Sequence, residues 1–193
     1  MAIVLDINFL CNKMLNISIV EELLNEHQVN IESIHSIDNW MWENEKEVKC
    51  REQLGRILNT GQIVIIKLKR TLIKDLGLYI EKNEYFYHYT LWMNTEGFPV
   101  LDCDKVNAGN RKFYEGIFQA ILKAKEKVNS AFEVIGIGLE TDIYYSRNII
   151  DMIQKSRNIM FWIPGRHIEF INGLKGYDEK NMAGVKILVK NSY

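Results

Sequence analysis

Between Tyr85 and Met93 the chain reads Tyr-Phe-Tyr-His-Tyr-Thr-Leu-Trp-Met, a run in which aromatic and β-branched side chains outnumber helix formers. Such a run suits a pleated strand far better than a helix. Alternation places Tyr85, Tyr87, Tyr89, Leu91 and Met93 on one face and Phe86, His88, Thr90 and Trp92 on the other. Upstream, Leu76, Leu78 and Ile80 alternate with Gly77, Tyr79 and Glu81, and the polar Lys82-Asn83-Glu84 between the runs suits a hairpin connection. Both faces of this hairpin are therefore expected to be at least partly covered. A loop over Asn94–Pro99 leads to the longest amphipathic stretch. With Asn110 as N-cap, Phe113, Ile117, Ala120, Ile121, Ala124 and Val128 fall on one helical stripe, widened by Phe118 and Leu122. The pattern predicts a core helix lying across the hairpin's sheet.

The remaining segments intersperse helices and strands. Ile3–Leu10 reads as a first strand, Ser18 to about His27 as a helix opened by an S-x-x-E capping box, and Val29–Ser33 as a second strand. Helical spacing runs from Glu47 to Asn59, and Gln62–Lys69 is a strand. Beyond the long helix, Phe132–Leu139 reads as a strand, Asp142–Ser156 as a helix capped by Thr141, and Ile159–Ile163 as a buried strand. His167–Ile171 is a pairing candidate, Gly173–Gly184 is loop-rich, and Val185–Val189 closes the chain as a strand. No strict βαβ repeat appears. The expected architecture is α+β: a mixed, mainly antiparallel sheet with packed helices, in a single domain over residues 1–193.

Chemistry-bearing motifs are sparse. Gly136-x-Gly138 follows a strand but lacks the third glycine and the lysine of a phosphate-cradling loop, so close backbone packing is the preferred reading. Cys11, Cys50 and Cys103 form no CxxC pair, fit a reducing cytosol and are expected to be buried free thiols. His27, His35, His88 and His167 stand singly, without zinc-ligand spacing. Asp102, Asp104, Glu140 and Asp142 offer carboxylates that could meet at a divalent cation, and Arg147, Arg157, Arg166 and His167 offer an anion-binding corner. Neither group shares an evident face, and no metal or cofactor is expected. The longest apolar runs fall well short of the ~20 residues that span a bilayer, so no membrane association is expected.

Charge is unevenly spread. Residues 1–60 hold five Lys or Arg against ten Asp or Glu, and residues 61–193 hold nineteen against fifteen, which sums to the net −1 of the chain. The acidic excess gathers around Asp38-Asn39-Trp40-Met41-Trp42-Glu43-Asn44-Glu45, where large apolar side chains alternate with carboxylates and no helical or strand period dominates. Two readings stand open: the indoles cap the core beneath a solvated acidic loop, or they are exposed anchors inside an acidic rim that steers a basic partner. A pI near 6.4 without a Lys/Arg stripe argues against nucleic acid.

Leu76-Gly77-Leu78-Tyr79-Ile80, Tyr89-Thr90-Leu91-Trp92-Met93-Asn94 and Asn110–Ile121 together resemble the small cytosolic immunity proteins of bacterial toxin systems, over about residues 76–125. The resemblance assigns no residue a role. It implies a protein that neutralises a toxin by binding it. With the charge layout, this gives the expectation carried forward: a non-enzymatic, cytosolic binding protein that occludes a basic protein surface through Asp38, Trp40, Trp42, Glu43, Glu45 and Glu47. The alternative is a metal-dependent hydrolase or transferase acting on an anionic substrate through Asp102, Asp104, Glu140 or the arginines.

Overall fold

The computed structural model describes residues 3–71, 73–103, 105–128, 131–165 and 174–191. The elements are β1 (Val4–Cys11), α1 (Ile17–Glu26), β2 (Asn30–Ile37), β3 (Lys46–Glu47), α2 (Leu54–Asn59), β4 (Ile63–Arg70), β5 (Ile73–Lys82) and β6 (Tyr87–Asn94). They continue with α3 (Arg111–Val128), β7 (Phe132–Asp142), α4 (Ile149–Lys155), β8 (Arg157–Pro164), β9 (Tyr177–Met182) and β10 (Val185–Lys190). The ten strands among the described residues join one sheet in the order β3-β2-β4-β5-β6-β1-β7-β8-β10-β9. Every pairing is antiparallel, so the α+β architecture stands at the antiparallel end of the expected mixed sheet.

The first strand is central. Register pairs Leu5, Ile7 and Phe9 with Met93, Leu91 and Tyr89 on β6, and with Leu139, Ile137 and Ile135 on β7. These apolar residues make the first face, which α1, α2 and α3 cover through Val20, Leu54, Leu58, Tyr114, Phe118 and Ile121. The second face carries the alternate residues, and its covering is discontinuous. Met152 and Ile153 of α4 pack with Leu10, Val134 and Trp162 at one side. Ile37, Ile63 and Ile65, with Tyr79 against them, form a separate patch near the β2 edge.

Two close approaches shape the second face. A Cβ on Gly77 would stand 2.5 Å from the Trp92 ring, and one on Gly136 would stand 2.8 Å from the Trp162 ring. Glycine at both positions lets an indole lie flat on the sheet.

Several elements differ from the sequence pattern. Asn16, not Ser18, caps α1, its side chain accepting from the Ser18 N–H at 2.9 Å. Glu47 belongs to β3, and helical structure begins only at Arg51. Asn110 does precede α3 and its carbonyl accepts from Phe113 and Tyr114, but its side-chain amide is turned back to the carbonyls of Val100 and Lys105, both at 3.0 Å. Along α3, Ile121, Ala124 and Val128 are buried as the stripe predicts, but in the first two turns Tyr114 and Phe118 are fully buried whereas Phe113 and Ile117 are only half-buried, so there the buried arc lies one residue around. Thr141 caps no helix: its N–H and hydroxyl donate to Asp6 at 2.8 and 2.9 Å, which holds β7 extended to Asp142 and delays α4 to Ile149, capped by Asn148. The loop expected over Gly173–Gly184 contains β9, and His167–Ile171 lies outside the described residues. Of the cysteines, Cys11 is buried, Cys103 half-buried and Cys50 exposed, all as free thiols.

Candidate functional site

The acidic segment is the connection from β2 to β3 at the edge of the sheet. It is an ordered turn rather than a loose one. Asp38 N–H donates to the Glu43 carbonyl at 3.0 Å, Trp42 N–H to the Asn39 carbonyl at 3.0 Å, and Met41 N–H to the Asn39 side chain at 2.9 Å. Asn39 donates in turn to Glu43 at 2.6 Å, and Asp38 accepts from Asn44 and Gln62, each at 2.6 Å. Those two amides hold the exposed Asp38 carboxyl below its ordinary range. Glu45 pairs with His35 at 3.0 Å, and Glu47 lies opposite His35 in the ladder. The polar atoms that fix this turn belong to the turn itself, to His35 on β2 and to Gln62 just before β4.

Its apolar side chains stand outside. Trp40 is 51% exposed, Met41 81% and Trp42 44%. Trp42 has φ +60°, a left-handed conformation that a bulky residue adopts only under constraint. Trp40 meets Tyr79 edge-on at 5.1 Å between centroids, and Tyr79 stacks on Trp92 at 5.6 Å. An aromatic row thus runs from the turn inward across the second face.

Beside that row lies a polar strip that the sequence did not single out, filling the gap between the two apolar patches of the second face. His88 Nδ1 lies 3.1 Å from Glu81 and 2.6 Å from the Tyr145 hydroxyl, and its Nε2 lies 2.9 Å from Asn8 Oδ1. Tyr145 donates to Glu81, Thr90 donates to Asn8 Oδ1 at 3.1 Å, and Asn8 donates to Thr141 at 3.0 Å. Asp6 closes the strip through Thr141. Its two carboxyls shift in opposite directions. Burial raises Asp6 and outweighs the hydrogen bonds from Thr141. Burial also acts on Glu81, but there His88 and Tyr145, with a smaller contribution from the Trp40 indole, outweigh it and lower its pKa. The members of the strip satisfy one another, so its chemistry is positional: it fixes Glu81, and Glu81 engages Trp40. Alternation in Tyr85–Met93 had put His88, Thr90 and Trp92 on one face, and that was the available signal. The partners from β1, β5 and the segment after β7 arrive only through register.

The other candidate groups do not come together. Asp102 and Glu140 are exposed, and Asp142 is exposed where β7 pairs with Arg157. Among the described residues no group of three or more His, Cys, Asp or Glu is placed to hold a metal ion. Arg147 lies over the Tyr85 ring at 5.5 Å, and Arg157 begins β8 opposite Asp142. Asp104, Arg166 and His167 lie outside the described residues. No described helix is long and apolar enough to cross a membrane. Comparisons with family models, curated proteins and solved structures return no match to this chain.

Proposed function

We propose that the chain is a non-enzymatic binding protein that masks a basic surface of another protein, in the manner of an immunity protein neutralising a toxin. The observation that carries this reading is the exposure of Trp40, Met41 and Trp42 in a turn whose own hydrogen bonds fix it. Exposed indoles at the tip of a rigid loop are effective anchors, because burying them releases apolar surface from water while little loop entropy remains to be lost. Asp38, Glu43, Glu45 and Glu47 surround them and give the approach of a basic partner an electrostatic bias. A stable interface removes roughly 1,600 Å² from solvent, more than this turn offers alone. The adjoining half-exposed Tyr79 and Trp92 supply a continuation of suitable character. The toxin class of partner rests on the family resemblance.

Affinity capture from cells expressing the chain tests the proposal when wild type is run beside Trp42→Ala and Glu43→Lys. A basic protein retained by wild type and lost from both variants, with melting temperatures within about 2 °C of each other, is the expected result. Variants that unfold while capture per folded molecule stays unchanged would make the turn a bystander.

A further inference from the structure

On the first face, opposite the strip and away from the acidic turn, α1 and α3 are bridged where Lys127 pairs with Glu22 and Glu26, at 2.6 and 2.5 Å, but leave a gap over the sheet elsewhere. The space between them is a cavity of about 570 Å³, lined by apolar residues such as Ile7, Leu24, Leu78, Ile117 and Ala120. That volume is in the range of small-molecule sites, roughly 300–1,000 Å³. Among the described residues its charged or titratable wall residues besides Tyr89 are His27, Arg70 and Lys112, and no carboxylate lines it.

Two features are unexplained by the chain's own packing. Gly116 lies inside α3 on its exposed side at the cavity mouth, where glycine costs about 1 kcal/mol relative to alanine, and a Cβ there would meet no atom within 4 Å. Nothing in the fold requires that glycine, and it lines the cavity. His27 presents a buried Nε2 without a hydrogen-bond partner, a condition that native structures rarely leave uncompensated. Burial, together with Lys123 and Arg70, lowers the His27 pKa, which places Arg70 within electrostatic reach of the ring. Arg70 has no carboxylate partner among the described residues.

We propose that this cavity binds a long-chain fatty acid, its hydrocarbon chain along the Gly116–Ala120 wall of α3 and its carboxylate at the Arg70 and His27 end. The apolar wall takes the chain through the hydrophobic effect. Arg70 supplies charge-assisted donors, and His27 Nε2 gains the partner it lacks. The inference is independent of the acidic turn.

Titration with the fluorescent fatty acid cis-parinaric acid, followed by displacement with palmitate or with uncharged 1-hexadecanol, tests it on the full chain. Saturable binding to one site is expected, with hexadecanol displacing about tenfold or more weakly than palmitate. Arg70→Glu should weaken palmitate and leave hexadecanol unchanged. Gly116→Leu should abolish binding while holding or raising the melting temperature, because leucine obstructs the cavity mouth and favours the helix. Absence of saturable binding, binding that survives Gly116→Leu, or equal displacement by palmitate and hexadecanol would each overturn the proposal.

Discussion

Trp92 and Trp162 share a residue type with Trp40 and Trp42 and almost nothing else. The first pair lies flat on the second face over Gly77 and Gly136, and Trp162 is wholly enclosed beneath α4. The second pair stands half-exposed at a sheet edge, in a turn bonded through its own asparagines and carboxylates. The difference teaches that an indole's fate is set by what faces it. A glycine across the ladder makes a seat for the ring; the β2–β3 turn has no such seat, and the neighbouring β3 is only two residues long.

The sharpest way to break this contrast is to truncate one member of each pair. Trp162→Ala should cost about 3–5 kcal/mol by chemical denaturation, whereas Trp42→Ala should stay within about 0.5 kcal/mol. Equal losses would mean that the turn is part of the core. Gly136→Val attacks the same seat from below and should cost about 1–3 kcal/mol through overpacking.

The strip between the pairs separates next, through pH. Glu81 has a lowered folded pKa, so its contribution is present above its ordinary value of 4.5 and fades as pH falls through the folded value. Asp6 has a raised folded pKa, so its ionisation costs stability as pH rises from 3.8 through the folded value. Urea denaturation from pH 3 to pH 7 should therefore show Glu81→Gln losing more stability, relative to wild type, at the upper end. Asp6→Asn should compare more favourably with wild type there than at pH 3. Parallel curves for all three proteins would remove the strip's electrostatic asymmetry. The smallest effect belongs to the backbone: Trp42→Gly relieves the left-handed conformation and should stabilise the fold by up to about 1 kcal/mol while deleting the anchor.

Much of the sheet was legible because alternation is local. Ile63–Arg70 and the hairpin of β5 and β6 fall where their side-chain period puts them. The six residues singled out in the acidic turn were visible for the same reason, because all of them fall within the single stretch 38–47. What escaped depends on distant partners. Thr141 is held extended by Asp6, 135 residues away. Residues Tyr177–Met182 have no apolar alternation and form a strand only through their pairing with β10. Phe113 and Ile117 match the helical period as well as Tyr114 and Phe118 do, and only the cavity beside α1 separates the two sets. Glu81, His88, Asn8 and Tyr145 come from four segments, and no window of sequence contains them together.

The central claim is that the turn's tryptophans meet the partner while the enclosed Trp162 holds the scaffold. Fluorine NMR of protein labelled with 5-fluorotryptophan, titrated with the captured basic protein, resolves this directly. The account predicts that the Trp40 and Trp42 resonances shift and saturate while Trp162 stays fixed. Saturating shifts at Trp162 with Trp40 and Trp42 unmoved would contradict it.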